Sequence, residues 1–177
     1  MGIDPGTNLM GYGLIRVVNK KPEILVSGYL DLKKIKDPYI KLQKIFQRTL
    51  QVIDEYQPDE LAIESQFFGK NIQSMLKLGR AQGVAIAAAL QRDIPIFEYA
   101  PRKIKLAISG TGTASKEQLA VVMQRFFNAK EFPTNSDETD AIAIALCHYF
   151  QSSSPISKSK PTSWADFVKK NPNKIKK

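Results

Sequence analysis

The residue that most constrains this chain is Asp4, a carboxylate placed after the apolar start Met1-Gly2-Ile3 and directly before the turn-forming run Pro5-Gly6-Thr7-Asn8. The pattern reads as a strand central in a sheet, and a carboxylate at the end of such a strand is costly to desolvate without a partner. Three further acids stand where they could share one. Leu61-Ala62-Ile63-Glu64 reads as a short buried strand ending in Glu64, and Ser136-Asp137-Glu138-Thr139-Asp140 opens the helical run from Ala141 to Phe150. Asp137 and Asp140, three apart, share one face of that helix's first turn. The blander account of this pair is complementation of the helix dipole, worth about 0.3–1 kcal/mol per acid. With Asp4 and Glu64 they form an oxygen-only set suited to Mg²⁺ or Mn²⁺. No thiolate or histidine cluster accompanies them, so zinc is not the expected ion.

With 177 residues and 43% apolar content, the chain is long enough for one domain with a real core, expected over residues 1–150. Cys147 is the single cysteine and sits in Ala-Ile-Ala-Leu-Cys-His, a packed-helix context rather than that of a nucleophile. His148, beside it, reads as structural or exposed rather than as a base. No run reaches the 18 or so apolar residues of a membrane span, and the start lacks a signal-peptide pattern, so a cytoplasmic protein without membrane contact is expected. The net charge is +9, of which seven lysines against Asp166 after residue 150 supply +6. Residues 151–177 read as a basic, flexible tail, with a Ser/Pro/Lys-rich linker from Ser152 to Thr162. Within it, Trp164, Phe167 and Val168 are spaced as a short amphipathic turn. A mildly basic domain that gathers four acids suits a polyanion held by lysines and cut with the help of metal ions.

Alternation and turn residues predict strands over residues 1–4, Tyr12 to Val18 and Ile24 to Leu32, the last two joined by a turn at Asn19-Lys20-Lys21-Pro22. Apolar residues at three- and four-residue steps predict a helix from Pro38 to near Gln57. Strand Glu60 to Glu64, a helix from Gln73 to Arg92 and strand Ile94 to Tyr99 follow. Helices near Arg102 to Ile108, Ser115 to Phe127 and Asp137 to Phe150 complete the order, with a capping box formed by Ser115 and Gln118. Three strands, a helix, a strand, a helix, a strand and then helices describe an α/β protein with a mixed five-stranded sheet flanked by helices. The first strand and the one ending at Glu64 can lie side by side and parallel, which brings Asp4 and Glu64 to one edge. That is the arrangement of the ribonuclease H-like fold.

Five blocks in order carry a more specific resemblance: Gly2-Ile3-Asp4-Pro5-Gly6 with Gly11-Tyr12-Gly13; Ala62-Ile63-Glu64 with Phe67 three residues on; Lys77-Leu78-Gly79-Arg80-Ala81-Gln82-Gly83-Val84; and Asp137-Glu138-Thr139-Asp140-Ala141. From residue 1 to about 150 the chain resembles the RuvC family of bacterial Holliday junction resolvases. Met10 stands where many members of that family have threonine.

The resemblance implies a homodimeric endonuclease that nicks two opposing strands of four-way DNA junctions at symmetric positions in recombination and repair. It implies that Asp4, Glu64, Asp137 and Asp140 bind two Mg²⁺ ions, with Mn²⁺ as a substitute, and that RuvA and RuvB are partners. It further implies that Phe67 stacks on a base near the crossover and that Lys105 and Lys116 lie near the scissile phosphate. Lys70, in the Phe67 loop, is a phosphate-contact candidate. Against these stand an aromatic covering a core edge and ordinary solvated lysines. The Gln73 helix, with Gly79, Gly83 and several alanines, is the family's dimer helix. Two other classes are weighed beside this reading. One is a ribonuclease H-like nuclease acting on another structured nucleic acid. The other is an actin-like or sugar-kinase-type nucleotide-binding domain, whose phosphate turn resembles Gly2-Ile3-Asp4-Pro5-Gly6-Thr7 but which calls for neither Glu64 nor the Asp137, Asp140 pair.

Overall fold

The computed structural model describes residues 1–66, 71–129 and 132–153. Its elements are β1 (Gly2–Asp4), β2 (Leu9–Val18), β3 (Lys21–Asp31), α1 (Pro38–Tyr56), β4 (Leu61–Glu64), α2 (Ile72–Leu90), β5 (Ile96–Tyr99), α3 (Pro101–Ser109), α4 (Lys116–Phe126) and α5 (Ser136–Ser153). The five strands form one mixed sheet in the order β3-β2-β1-β4-β5. β1 is antiparallel to β2 and parallel to β4, and β4 is parallel to β5. This is the expected ribonuclease H-like architecture. With only three residues, β1 is short for a strand, but it is central and hydrogen-bonded on both sides, and the Met1 amino group donates to the Glu60 carbonyl at 2.8 Å.

Each face of the sheet has its own core. On one, Ile3, Met10, Leu14, Leu61 and Ile63 pack on Ile45, Val52 and Ile53 of α1 and Ala81, Ala85 and Ala89 of α2. Met10 is fully buried in this core, so its side chain serves packing. On the other face lie α3, α4 and α5. Ala141 to Cys147 are all buried, as expected for a helix that is apolar on every side and encased in the domain.

The backbone of α5 comes unusually close to the sheet, over Gly2 and Gly11. A Cβ at Gly11 would stand 1.9 Å from the Asp137 carbonyl oxygen, and one at Gly2 would stand 2.2 Å from that of Ala141. At Gly13 the nearest atoms would be Ile142 Cγ1 at 2.9 Å and Ile142 N at 3.0 Å.

Element bounds differ from the sequence reading where pairing, rather than local pattern, decides them. β2 begins at Leu9, because the ladder with β3 runs from the Leu9–Asp31 pair to the Val18–Lys21 pair. The hairpin turn is only Asn19 and Lys20, both with positive φ, the backbone that two-residue hairpins require. Pro22 thus falls inside β3, which is tolerated because β3 is an edge strand. β5 starts at Ile96 rather than Ile94, since the turn closing α2 extends to Asp93, which has φ 55°. The Ser115–Gln118 capping box forms as expected. α5 runs on to Ser153, so residues 151–153, expected to open the flexible tail, are helical, and the rest of that tail with Trp164, Phe167 and Val168 lies outside the described residues.

The seating of α5 yields a graded prediction. Gly11→Ala should destabilise the domain by roughly 1–3 kcal/mol or more, as overpacking against backbone does, and by more than Gly13→Ala. Thermal melts check this, and wild-type stability in both variants would show that α5 is not seated on these glycines.

Candidate active site

β1 and β4 run in register, Gly2 opposite Ala62 and Ile3 opposite Ile63, so Asp4 and Glu64 come next on neighbouring strands at the same edge. Strand alternation turns both toward α5, with the small residues Gly2 and Ala62 behind them on the same face. Asp4 is also paired across the antiparallel ladder with Gly11, the residue on which the Asp137 carbonyl rests. One contact therefore brings the first turn of α5 over the end of β1.

That turn is fixed by side chains. Asn135 Oδ1 accepts from the backbone N–H of Asp137 at 3.0 Å and of Glu138 at 3.2 Å, an N-cap that satisfies otherwise unpaired donors. Thr139 Oγ1 donates to the Asn135 carbonyl at 2.9 Å. Ser27 of β3 donates to Glu138 Oε1 at 2.6 Å, which ties Glu138 to the sheet and leaves Asp137 and Asp140 beside Asp4.

The electrostatics follow from this crowding. Burial pushes the Asp4 carboxyl up to about 8, assisted by the negative charges of Glu64, Asp140 and Asp137 and opposed by Lys116. Glu64 is raised by burial and by Asp140, with Lys116 and Lys105 opposing. Burial works against the charge of Lys116, but its hydrogen bond to Asp140 and the nearby acids outweigh it and hold the ammonium above its ordinary range. Lys116 pairs directly with Asp140. Among the described residues no hydrogen-bond donor reaches the side-chain oxygens of Asp4 or Glu64. The group opens into a cleft of about 210 Å³ lined by Asp4, Glu64, Lys105, Lys116 and Asp140 over Ile104 and Leu119.

A buried carboxylate lacking a donor and surrounded by three more needs cationic charge beyond one lysine. The donors are all hard oxygens, which fits a divalent ion of the Mg²⁺ or Mn²⁺ class. Among the described residues no three acid, His or Cys side chains are drawn tightly enough to form a ready-made ion cage. Asp4, Glu64 and Asp140 instead line a cleft in which Lys116 serves as counter-ion, with the charge of Asp137 acting on Asp4 from nearby.

The structure thus brings together Asp4, Glu64, Asp137 and Asp140, with Lys105 and Lys116 at the cleft. Phe67 and Lys70 lie outside the described residues. Cys147 is buried, and burial pushes its thiol up to about 11, in keeping with a packing role. His148 is buried rather than exposed: Nδ1 shares a hydrogen bond with the Tyr99 hydroxyl at 2.7 Å, and Nε2 lies 2.7 Å from Glu60 Oε2. Sequence reasoning missed Asn135, Ser27 and Gln82. The Gln82 amide donates to the Glu64 carbonyl at 3.2 Å and to Glu98 at 2.9 Å, anchoring the end of β4. Asn135 had a usable local signal, an N-cap residue just ahead of acids and an apolar run.

Comparison with known proteins agrees with this geometry. The family model described as crossover junction endodeoxyribonuclease RuvC matches residues 1–148. The chain is 54% identical to the crossover junction endodeoxyribonuclease RuvC of Bacteroides fragilis, covering 99% of this chain and 95% of that protein. It is 55% identical to the one from Christiangramia forsetii, covering 99% and 92%. Among solved structures, Thermus thermophilus RuvC in complex with a Holliday junction substrate superposes with a TM-score of 0.79 at 32% identity, over 85% of this chain and 92% of that one. Similarity of this extent in sequence and fold leaves one assignment: the chain belongs to the RuvC family of crossover junction endodeoxyribonucleases.

Proposed function

We propose that this protein resolves four-way DNA junctions by paired, symmetric nicks, and that Asp4, Glu64, Asp137 and Asp140 are its catalytic carboxylates. The observation that carries the reading is the gathering of Asp4, Glu64 and Asp140, from β1, β4 and α5, around one cleft, with the charge of Asp137 beside Asp4, on a protein of net charge +9. A site for binding alone would not set so much negative charge against a polyanion. The four carboxylates would hold two Mg²⁺ ions, with Mn²⁺ able to replace them. Bound there, such ions activate water and offset charge on the phosphodiester as it breaks.

The chain's own residues supply the rest. Lys116 and Lys105 stand where a phosphate would enter and offer it cationic contacts. Ile104 and Leu119 give the cleft an apolar floor that limits water. On this reading Phe67 stacks on a base beside the cut and Lys70 contacts a phosphate. Stacking of this kind is worth about 1–3 kcal/mol per base and tolerates any sequence. On this reading the enzyme works in the cytoplasm with RuvA and RuvB.

The reading also calls for a homodimer, because an isologous pair presents two equivalent sites to a nearly two-fold symmetric substrate. α2 supports it. Ile72, Leu76, Gly79, Gly83 and Leu90 recur at helical spacing and are exposed, and a Cβ at Gly79 or Gly83 would meet nothing within 4 Å. The opposite face of α2 is already packed on the sheet.

Three outcomes are expected. In Mg²⁺ the protein should place paired nicks in a synthetic four-way junction and leave linear duplex intact. Asp4→Asn should bind the junction at least as well and cut it at least 10³-fold more slowly, a loss of about 4 kcal/mol of transition-state stabilisation; wild-type cutting by this variant would overturn the assignment. Gly79→Leu should fold normally yet sediment as a monomer and lose the coordination of the two nicks, and an unchanged dimer would move the interface elsewhere.

A fourth outcome concerns pH. The carboxyl of Asp4 is raised in the folded protein from 3.8 to about 8, so its stabilising protonated form is fully present below about pH 4 and is lost as pH rises through 8. The metal-free melting temperature should therefore fall from pH 5 to pH 8. Mg²⁺ should raise it more at pH 8 than at pH 5, since the ion binds the ionised form. Asp4→Asn should flatten both trends, and identical pH profiles for wild type and variant would contradict the site.

A further inference from the structure

On the other side of the turn that follows Asp4, the surface is built of cations. A groove of about 580 Å³ lies between the first turns of α1 and α2, against Thr7 and Asn8, and is lined by Lys36, Lys41, Lys77 and Arg80. Among the described residues no carboxylate lines it. The acid nearest in sequence, Asp37, is occupied as the N-cap of α1, with Oδ1 accepting from Tyr39 N at 2.7 Å and Ile40 N at 3.2 Å. Lys36, Lys77 and Arg80 are exposed and form no ion pair among the described residues. Lys41 is half-buried and held in place, its ammonium donating to the Thr7 carbonyl at 2.8 Å and to Asn8 Oδ1 at 3.2 Å.

Four cations without a counter-ion repel one another and focus positive potential in the groove, a cost that an anion offsets when it docks. The cleft makes such a site necessary. The carboxylates Asp4, Glu64 and Asp140 that line it, with Asp137 nearby, outnumber Lys105 and Lys116, so until divalent ions load it the cleft repels phosphate, and affinity for DNA comes from elsewhere. The groove is within reach. Thr7 follows Asp4 by three residues, which caps the separation of their Cα atoms at about 10 Å, or roughly three base-pair steps of duplex rise.

We propose that this groove is a metal-independent binding site for the sugar–phosphate backbone of a duplex arm flanking the strand that is cut. It rests on the reading of the chain as a junction nuclease and extends that reading to where the arm lies. Lys41, held by the turn after Asp4, ties the groove's position to that of the catalytic carboxylate. Lys77 and Arg80 lie on the flank of α2 that faces α1, beside the apolar stripe assigned to the dimer. The two grooves of a dimer would therefore border its interface and receive two arms.

The test measures junction binding without divalent ions in Asp4→Asn protein, across a series of salt concentrations. Lys36→Gln/Lys77→Gln is compared with Lys20→Gln/Lys21→Gln, a pair that removes the same charge at the β2–β3 hairpin, the far end of the sheet. The groove pair should weaken binding at least tenfold at 0.1 M salt and lower the slope of log K against log salt by about 1.8, near 0.9 for each lost phosphate contact. The hairpin pair should leave the slope unchanged. Equal effects of the two pairs would overturn the groove while leaving the junction reading intact. Absence of junction binding by Asp4→Asn protein with all its lysines would instead remove the junction reading, and the groove proposal with it. Sedimentation and thermal melts of the groove pair, matched to wild type, tie any loss to contact rather than to fold or assembly.

Discussion

The approach of the α5 backbone to the sheet governs the edge where Asp4, Glu64, Asp137 and Asp140 meet. Gly2 and Gly11 leave no side chain between strand and helix, so the carbonyls of Asp137 and Ala141 come almost into contact with the strands. Because Gly11 is paired with Asp4, the same contact fixes Asp137 and Asp140 relative to Asp4. Parallel pairing of β1 with β4 does the equivalent for Glu64. Thus two independent constraints, a helix seated on glycines and a strand register, position four acids from three elements separated by more than a hundred residues. The Asn135 cap and the Ser27–Glu138 hydrogen bond then hold the first turn of α5 against fraying.

Holding these acids together opposes folding and opposes substrate binding, and the structure divides the remedies. Burial and mutual repulsion raise Asp4 and Glu64, and Lys116 relieves only part of this through Asp140. What remains is a demand for divalent charge, so metal loading and phosphate affinity at the cleft rise together. The lysines beyond the turn after Asp4 lie outside this conflict and can hold a backbone whether or not the cleft is loaded. On the proposed reading, binding and cutting fall to separate surfaces on either side of the turn after Asp4.

Much of this was legible in the sequence, for reasons that differ by residue. Asp4 and Glu64 stood out because a carboxylate ending an apolar run is energetically anomalous, and Asp137 with Asp140 because helical spacing puts them on one face. The parallel pairing of the first strand with the one ending at Glu64 followed from the succession of elements. Gly11 and Gly13 were visible as a motif, but that they form the floor under α5 could not be read, since nothing local to them names the helix that covers them. Ser27 and Glu138 are 111 residues apart, and Gln82 reaches a backbone carbonyl 18 residues away; such pairs exist only once the sheet is assembled. The same holds for His148, whose partners are Tyr99 on β5 and Glu60 just ahead of β4, both far from its own helix in sequence. The start of β2 was misjudged because pairing with β3, not local alternation, determines where that strand begins.

The most direct test of the central claim is an anomalous-scattering map from crystals of the protein with four-way junction DNA and Mn²⁺. The account predicts two Mn²⁺ peaks per protomer in the cleft, within about 2.1 Å of carboxylate oxygens, with Asp4 among the ligands and Glu64, Asp137 and Asp140 supplying the others. Mn²⁺ bound elsewhere, or a cleft with Lys116 still its sole counter-ion in crystals that cut the junction, would contradict it.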